Sequence, residues 1–330
     1  MKHHLDHEPQ TFGDWAYLGI AKHFDKIIKH EIEVIVDKDP EELHQMRVGM
    51  RRLRSTIVGF LPALNLPKYA QEKRVGKVAK ILGELRDLDV LGDSLKNQYQ
   101  PNLPKDEQKH LQEVINDLDK QRKKTFKKVK ELLISEKYLD LKQSFTDWLN
   151  EPQYQPISEI SIETVLPDLL LPEVSRLLVH PGWLIGVKFS QGETYFPDGL
   201  SQKEVETLLD NEDLILHNLR KEAKRCRYNM ELFTQFYGDS YQQYLEDVKM
   251  IQTVLGEIQD SFVLVNFLAE VFKEDITQTM PNLSNKIGAN RYKNWQEWEQ
   301  LQRKFIKSKF RKDFHFTILK PELINSEVKN

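Results

Sequence analysis

The stretch His44-Gln45-Met46-Arg47-Val48-Gly49-Met50-Arg51-Arg52-Leu53-Arg54 decides how this chain folds. Read as a helix, with about 100° of rotation per residue, it places one histidine and three arginines on a single stripe. That basic stripe consists of His44, Arg47, Arg51 and Arg54. The neighbouring stripe is apolar and consists of Met46, Met50, Leu53 and Ile57. The stretch therefore predicts an amphipathic helix that packs one face into a core and presents guanidinium groups on the face beside it.

The same pattern returns in His217–Arg227, 173 residues further along the chain. Its basic stripe consists of His217, Arg220, Lys224 and Arg227, and its apolar stripe of Leu219, Ala223, Cys226 and Met230. A second segment repeats at the same offset, because Leu82–Leu91 matches Leu255–Leu264 with six of ten positions identical. Two motifs kept at one spacing, with no insertion between them, indicate an internal duplication, whose halves we call the first and second copy.

The remaining sequence reads as helices joined by short connections, which predicts an all-α protein. Residues 11–149 and 201–320 are each expected to form a four-helix bundle. Residues 150–200 are rich in proline, which we expect to interrupt any long helix there. Within this linker, Trp183–Phe189 and Thr194–Phe196 read as the strands of a small β-hairpin, with a turn at Ser190–Gly192.

These motifs resemble the CHAD family, the conserved-histidine α-helical domain. The resemblance is carried by His44-x-x-Arg47-x-x-x-Arg51-Arg52-x-Arg54, by Leu82-Gly83-x-x-Arg86-Asp87-x-Asp89-Val90, and by their second copies. It covers residues 11–150 and 200–320. It implies two bundles related by pseudo-twofold symmetry, whose motif helices face a shared basic channel. It also implies a binding module for inorganic polyphosphate.

The chemistry of the two basic stripes points to a phosphate polymer. Like charges one turn apart on a helix repel, so clustered arginines contribute poorly to stability. Guanidinium groups pair with phosphate oxygens in a bidentate way, which indicates an anion site. Neither stripe contains Phe, Tyr or Trp, on which nucleic-acid bases usually stack. We therefore predict a polyanion without bases, bound largely through neutralisation of its charge.

The candidate polyphosphate-binding residues are those of the two motifs together with two lysines that follow the first motif. They are His44, Arg47, Arg51, Arg52, Arg54, Lys77, Lys80, His217, Arg220, Lys224, Arg225 and Arg227. Arg52 and Arg225 project to the other side of their helices and are expected at the rim of the site. Lys77 and Lys80 have no basic counterparts in the second copy, so the two stripes are not equally basic.

Other cations and the carboxylates of the second segment leave two points open. The run Lys120–Lys130 and the group Arg303, Lys304 and Lys307 are expected either to extend the site or to form solvated faces. The arginines of the stripes could instead serve structural ion pairs. Their candidate partners are Glu84, Asp87, Glu257 and Asp260.

His44 and His217 are both expected near a helix start, where the helix dipole disfavours the charged imidazolium. A bound polyanion would favour that charged form. We therefore expect polyphosphate binding to strengthen as the pH falls below about 7. The alternative is that the two histidines form hydrogen bonds that orient the neighbouring arginines.

Composition and charge limit the compartment and the partners. The net charge of −3 lacks the basic excess of a generic nucleic-acid binder and disfavours nucleic acid as a partner. No apolar run approaches the roughly 18 residues that span a membrane, and Met1–Gln10 lacks the apolar core of a signal peptide. Cys226 is the sole cysteine and reads as a small core residue in a reducing environment. These features indicate a cytoplasmic protein, which a polyphosphate ligand would associate with polyphosphate granules.

The sequence predicts a binding protein without catalytic residues, cofactor or metal site. It contains no phosphate loop, and Glu31–Ile35 has the two glutamates of an ExExK signature without its lysine. Neither histidine has a second ligand beside it at zinc spacing. Two alternatives remain open. One is an interaction scaffold that binds acidic protein partners, and the other is a metal-dependent hydrolase of polyphosphate or triphosphate, in which the carboxylates of the second segment hold Mg²⁺.

Overall fold

The structure, a computed structural model, describes residues 5–190, 193–197 and 199–322. Its contacts divide the chain into two compact units. Unit 1 comprises Met1–Asn102 and Gln108–Val165, and unit 2 comprises Leu103–Glu107 and Leu166–Asn330. The first copy therefore lies in unit 1 and the second copy in unit 2. No helix in the described part of the chain combines the length and the apolar character needed to cross a membrane.

Unit 1 is built from α-helices that begin and end close to the signals in the sequence. They are α1 (Phe12–Val36), α2 (Pro40–Gly59), α3 (Glu72–Asp93), α4 (Lys105–Leu133) and α5 (Glu136–Asn150). A π-helical segment, Ser94–Tyr99, follows α3 directly. The first three residues of α4 group with unit 2.

Local capping fixes the starts of α1 and α2. The side chain of Thr11 accepts a hydrogen bond from the Asp14 N–H at 3.1 Å, and the Asp14 carboxylate accepts one from the Thr11 N–H at 2.9 Å. Asp39 accepts from the Glu41 N–H at 2.8 Å, and Pro40 takes the first helical position. These contacts satisfy amide groups that have no partner within the first turn of a helix.

The apolar stripes of both copies are buried, as the sequence predicts. The first consists of Met46, Met50, Leu53 and Ile57, and the second of Leu219, Ala223, Cys226 and Met230. Gly49 lets α2 approach α1 closely, because a Cβ there would lie 2.9 Å from a side-chain carbon of Ile27. Burial also raises the pKa of the Cys226 thiol, which fits a small core residue.

Unit 2 contains most of the next helix and all that follow it. They are α6 (Ile162–Leu178), α7 (Gln202–Leu232), α8 (Asp239–Phe272), α9 (Ile276–Thr279), α10 (Pro281–Ile306) and α11 (Ser308–Ile318). The only strands among the described residues form one two-stranded hairpin, β1 (Lys188–Ser190) and β2 (Glu193–Tyr195). The prediction of an all-α fold with a small hairpin is confirmed.

The expectation that prolines interrupt any long helix in residues 150–200 is wrong, because α6 contains both Pro167 and Pro172. Each proline removes one backbone hydrogen bond from the helix. Burial of an apolar face offsets this loss, because each large aliphatic side chain that leaves water stabilises the fold by about 1.5–3 kcal/mol. The buried apolar side chains of α6 are Ile162, Val165, Leu166, Leu170, Val174, Leu177 and Leu178.

The hairpin is shorter than the sequence suggests. β1 pairs with β2 in antiparallel register, with Lys188 opposite Tyr195, and the strand residues are exposed. Trp183, predicted to begin a strand, instead lies in a 3-10 turn and stacks on Trp298 and Phe305 with ring centroids 5.1 and 4.8 Å apart. Of the predicted turn, Gln191 and Gly192 lie outside the described residues, as do the first four residues of the polar N-terminal stretch.

α10 begins at Pro281, and its cap comes from far away in sequence. Glu107 is only 5% exposed, and its carboxylate accepts hydrogen bonds from the N–H groups of Asn282 at 2.9 Å and Leu283 at 3.0 Å. A negative charge at this end of a helix also interacts favourably with the helix dipole.

Candidate anion-binding stripes

The basic stripe of the first copy lies on α2 and meets α3 through a contact between an arginine and a glycine. The guanidinium of Arg47 occupies the space next to Gly83, where a Cβ would overlap its Nη1 and lie 3.5 Å from its Cζ. Nη2 of Arg47 is 3.6 Å from a carboxylate oxygen of Asp87, one turn further along α3. The carboxylate is 74% exposed, so this pair is long and largely solvated.

The second copy repeats this arrangement on α7 and α8. The guanidinium of Arg220 lies next to Gly256, where a Cβ would be 3.3 Å from its Nε. Nη2 of Arg220 is 3.9 Å from a carboxylate oxygen of Asp260, which is 75% exposed. Within each unit, therefore, one arginine crosses a glycine and ends near an exposed aspartate.

The last arginine of each stripe has its own carboxylate partner. Arg54 donates from Nε to Glu72 at 2.8 Å, and its guanidinium lies against Gly76. Arg227 donates from Nε to Glu231 at 2.7 Å and from Nη1 to Gln252 at 3.1 Å. These two arginines are thus held at the protein surface by neighbours on the same or the adjacent helix.

An aromatic ring lies beside the second stripe, although neither stripe itself contains one. Lys224 Nζ is 5.9 Å from the ring centroid of Tyr228, and the guanidinium carbon of Arg227 is 5.5 Å from it. Tyr228 follows Lys224 by four residues, so the helical period already places the two side chains together. The equivalent position in the first copy is Ser55.

Arg52 and Arg225 point away from the stripes, as their angular position predicts. Arg52 acts electrostatically on His23 and Lys26, which belong to α1. Arg225 donates from Nε to Glu173 of α6 at 2.7 Å. Each of the two therefore faces a helix on the other side of its own helix.

Lys77 and Lys80 are exposed on α3 and form no ion pair within the described residues. Their counterparts on α8, Met250 and Thr253, are also exposed but uncharged. The surface beside the first stripe is therefore more basic than the surface beside the second.

The pKa of each of the two histidines is lowered, which favours the neutral imidazole. Burial is the largest cause that lowers the pKa of His44 below its ordinary 6.5, and Arg86 is the next. Burial also lowers the pKa of His217, with a further contribution from Lys221, while a hydrogen bond with Gln259 opposes the shift. Positions 86 and 259 were not among the candidate residues, although both lie in the repeated second motif.

The expectation that both histidines lie near a helix start is wrong for His217. α7 begins at Gln202, so His217 lies near its middle, where the dipole of the helix end has little effect. Only His44 lies close to a helix start, in the second turn of α2.

The carboxylates that could neutralise the stripes do so only in part. Asp87 and Asp260 lie at the long distances given above, and no ion pair joins Glu84 or Glu257 to an arginine within the described residues. A partly buried network instead uses Arg122, part of the lysine-rich run of α4. It donates to both carboxylate oxygens of Asp37 at 2.7 Å and from Nε to Asp89 at 2.6 Å.

Several other charged residues singled out in the sequence also take structural partners. Arg303 pairs with Glu299 and lies 4.0 Å from the ring centroid of Phe196. Lys304 pairs with Asp247 at 2.6 Å. Glu31, from the ExExK-like segment, lies in helix α1. It accepts hydrogen bonds from Lys142 at 2.9 Å and Tyr138 at 3.0 Å. No group of three or more potential metal ligands occurs among the residues that the structure describes.

Comparison with known proteins places this geometry in a family. The sequence model of the CHAD domain family matches residues 19–269 of this chain. Two uncharacterized proteins of Mycobacterium tuberculosis, MT2285 of strain CDC 1551 and Rv2226 of strain H37Rv, are 24% identical to the chain over 266 residues. Each match covers 78% of this chain and 46% of the relative, so the chain spans about half the length of these curated relatives.

Solved structures show the same fold at low sequence identity. The crystal structure of the CHAD domain from the plant Ricinus communis is 22% identical, with a TM-score of 0.60 and coverage of 96% of this chain and 94% of that chain. PptA from Streptomyces chartreusis is 14% identical, with a TM-score of 0.56 and coverage of 93% and 99%. With the family model matching most of its length and both copies of the motif in place, the chain belongs to the CHAD domain family.

Proposed function

We propose that this protein binds inorganic polyphosphate through its two basic stripes. The observation that carries the proposal is the repeated placement of Arg47 and Arg220, each extended over a glycine toward one exposed aspartate at 3.6 and 3.9 Å. Exposed pairs of this kind contribute about 0–1 kcal/mol, so stability alone does not explain why both copies keep them. A phosphate chain would supply the charge-assisted hydrogen bonds that these guanidinium groups can still form.

The surroundings of the stripes favour a phosphate chain over a nucleic acid. The ring of Tyr228 is the aromatic group beside the second stripe, and Lys224 and Arg227 already lie near its face. A ring whose face is occupied by the protein's own cations is a poor platform for stacking a base. Distributed cations without a stacking platform suit a ligand that consists of phosphates alone.

The proposal has two further parts. The first is that the protein binds polyphosphate without hydrolysing it, and the second is that it does so in the cytoplasm or at polyphosphate granules. Incubation with long-chain polyphosphate and Mg²⁺, followed by measurement of released phosphate, tests the first part. Microscopy of the tagged protein with stained granules tests the second. The expectation that one polyphosphate chain engages both stripes stays a prediction, which variants of a single stripe will test.

The decisive experiment compares polyphosphate binding by the parent with a double variant, Arg51→Glu with Lys224→Glu, over a salt series. If about six cations engage the ligand, the parent affinity falls on the order of a hundredfold or more for a fourfold increase in salt. The double variant should lose most of the binding, because each stripe gains a charge that repels phosphate.

A matched control carries the same change in net charge elsewhere: Lys137→Glu with Lys203→Glu, both exposed and one in each unit. It should bind nearly as well as the parent. Equal losses in the two double variants would reduce the effect to net charge and contradict a localised site. If an acidic peptide displaces polyphosphate at similar concentrations, the stripes instead serve an acidic protein partner.

A further inference from the structure

We propose that Gly83 and Gly256 are positioning residues for polyphosphate binding, because each leaves the space in which the ligand-facing arginine lies. This inference rests on the proposed function and adds residues that carry no charge and cannot bind phosphate through a side chain. It assigns a positioning role to the glycine of the Leu-Gly pair that opens the second motif in both copies.

The contacts around Gly83 single out the arginine. Among the described residues, the only atoms within 4 Å of the place where a Cβ would stand, beyond the helix's own backbone and the chain neighbours, are Nη1 and Cζ of Arg47. At Gly256 the three nearest atoms all belong to the guanidinium of Arg220, at 3.3, 3.5 and 3.9 Å. Both glycines are buried, although both lie beside exposed positions of their helices.

Close packing of helices does not account for these two glycines. Gly49 shows what that role looks like, since a Cβ there would meet backbone atoms of His23 and Ile27 at 3.4 Å as well as the Ile27 side chain. In the part of the chain that the structure describes, no backbone atom of another helix lies that close at Gly83. Glycine weakens the interior of a helix relative to alanine, so its presence at this point in both copies calls for another reason.

The consequence is a variant that keeps the fold and changes the ligand contact. A methyl group at position 83 displaces only the far end of a flexible side chain, so Gly83→Ala should have a thermal midpoint at or above that of the parent. The guanidinium of Arg47 has to leave its place beside Asp87. We expect affinity for polyphosphate to fall about three- to tenfold, as when a charge-assisted hydrogen bond is loosened rather than lost.

The structure provides a graded series for the test. Gly256→Ala meets Arg220 at 3.3 Å and should weaken binding less than Gly83→Ala does. Gly76→Ala is the matched control, on the same helix as Gly83 and also next to an arginine of the stripe. Its Cβ would lie 3.4 Å from Arg54, an ordinary contact, so binding should stay within about twofold of the parent.

A double-mutant cycle shows whether the glycine acts through the arginine. If it does, Gly83→Ala has no further effect on affinity in the Arg47→Ala background. The proposal is overturned if Gly83→Ala binds like the parent, if its effect persists without Arg47, or if Gly83→Ala and Gly256→Ala both lower the thermal midpoint. Failure of the parent to bind polyphosphate would reject the proposed function itself, whereas these outcomes with a binding parent reject only the positioning role.

Discussion

In the first copy, Arg47 extends across Gly83 toward Asp87, and in the second copy Arg220 extends across Gly256 toward Asp260. Around this shared arrangement the two copies differ. The first has exposed lysines on α3 where the second has Met250 and Thr253 on α8. The duplicated halves have thus kept one arginine in place while the charge around it has changed.

A second difference concerns how the next long helix docks. In the first copy, Asp89 forms an ion pair with Arg122 of α4. The equivalent residue in the second copy is Phe262, and its ring centroid lies 4.0 Å from the guanidinium carbon of Arg291 of α10. Both copies hold an arginine at this point of the fold. In the first copy its partners are carboxylates, and in the second they include a ring face and the Ser261 hydroxyl, which accepts a hydrogen bond from Nε of Arg291 at 2.6 Å. The contact with the following helix is therefore kept in both copies with different chemistry.

The largest expected effect is the loss of the charged anchor. Arg122→Ala should lower the free energy of unfolding by about 2–3 kcal/mol, because it leaves the carboxylates of Asp37 and Asp89 without their shared cation. Arg291→Ala should cost about 1 kcal/mol, the order of a partly buried cation–π contact. Denaturant unfolding of both variants measures the difference. Lys124→Ala, an exposed lysine on α4, is the control and should change stability by less than about 0.5 kcal/mol. Equal losses at positions 122 and 291 would mean that the two anchors are equivalent.

A smaller effect is expected when the charge of the first copy is transferred to the second. Met250→Lys with Thr253→Lys should strengthen polyphosphate binding. The slope of the logarithm of the affinity against the logarithm of the salt concentration should become steeper by about 1.4, at about 0.7 for each added cation. Lys77→Ala with Lys80→Ala should flatten that dependence by the same amount. The variant with Met250→Gln and Thr253→Gln controls for the loss of the native side chains. If the Lys77 and Lys80 replacements change polyphosphate binding but the Met250 and Thr253 replacements do not, the ligand does not reach this face of α8.

The smallest expected effect is a change in the pKa values of the two histidines, in opposite directions. Arg86→Gln should raise the pKa of His44, because it removes a positive charge that disfavours the imidazolium, and Gln259→Arg should lower the pKa of His217. NMR titration of the two imidazoles measures both shifts. If the two swaps leave the pKa values unchanged, burial alone sets the protonation of both side chains.

The same pKa shifts give the direction of two pH effects. The histidines are neutral at pH 7 and a bound polyanion favours their protonation, so affinity should rise as the pH falls below 6.5 and the rise should shrink in His44→Ala with His217→Ala. Without ligand, a fall in pH has the opposite effect, because it destabilises the fold. The folded pKa values lie below the ordinary value, so the unfolded chain takes up more protons and the free energy of unfolding falls as the pH falls through 6.5.

Local signals were sufficient to predict much of the fold. The capping residues Thr11, Asp39 and Ser201 each lie directly before a helix, as their side-chain oxygens require. The start of α10 could not be predicted in this way, because its cap is the carboxylate of Glu107, far away in the chain. α6 was missed because tertiary burial of its apolar face outweighs the effect of two prolines.

The candidate site, like the fold, could be predicted from the sequence only in part. Helical periodicity identified the stripe residues and separated Arg52 and Arg225 from them. It could not identify Gly83 as the neighbour of Arg47, nor Arg86 as the neighbour of His44, because these contacts join two helices. It also could not separate Arg122 from the lysines around it, since only the approach of Asp37 and Asp89 makes that arginine structural.

The sequence by itself determined that the chain is helical, that it is duplicated, and which faces of its motif helices are basic. These properties follow from the period of the helix and from a repeat at constant spacing, both of which are local in the chain. Only the tertiary structure decided which arginines face solvent, which are neutralised by carboxylates, and which glycines leave room for a guanidinium. Those outcomes depend on distances between helices, and side chains that are far apart in sequence acquire a partner or lose one only when the helices pack.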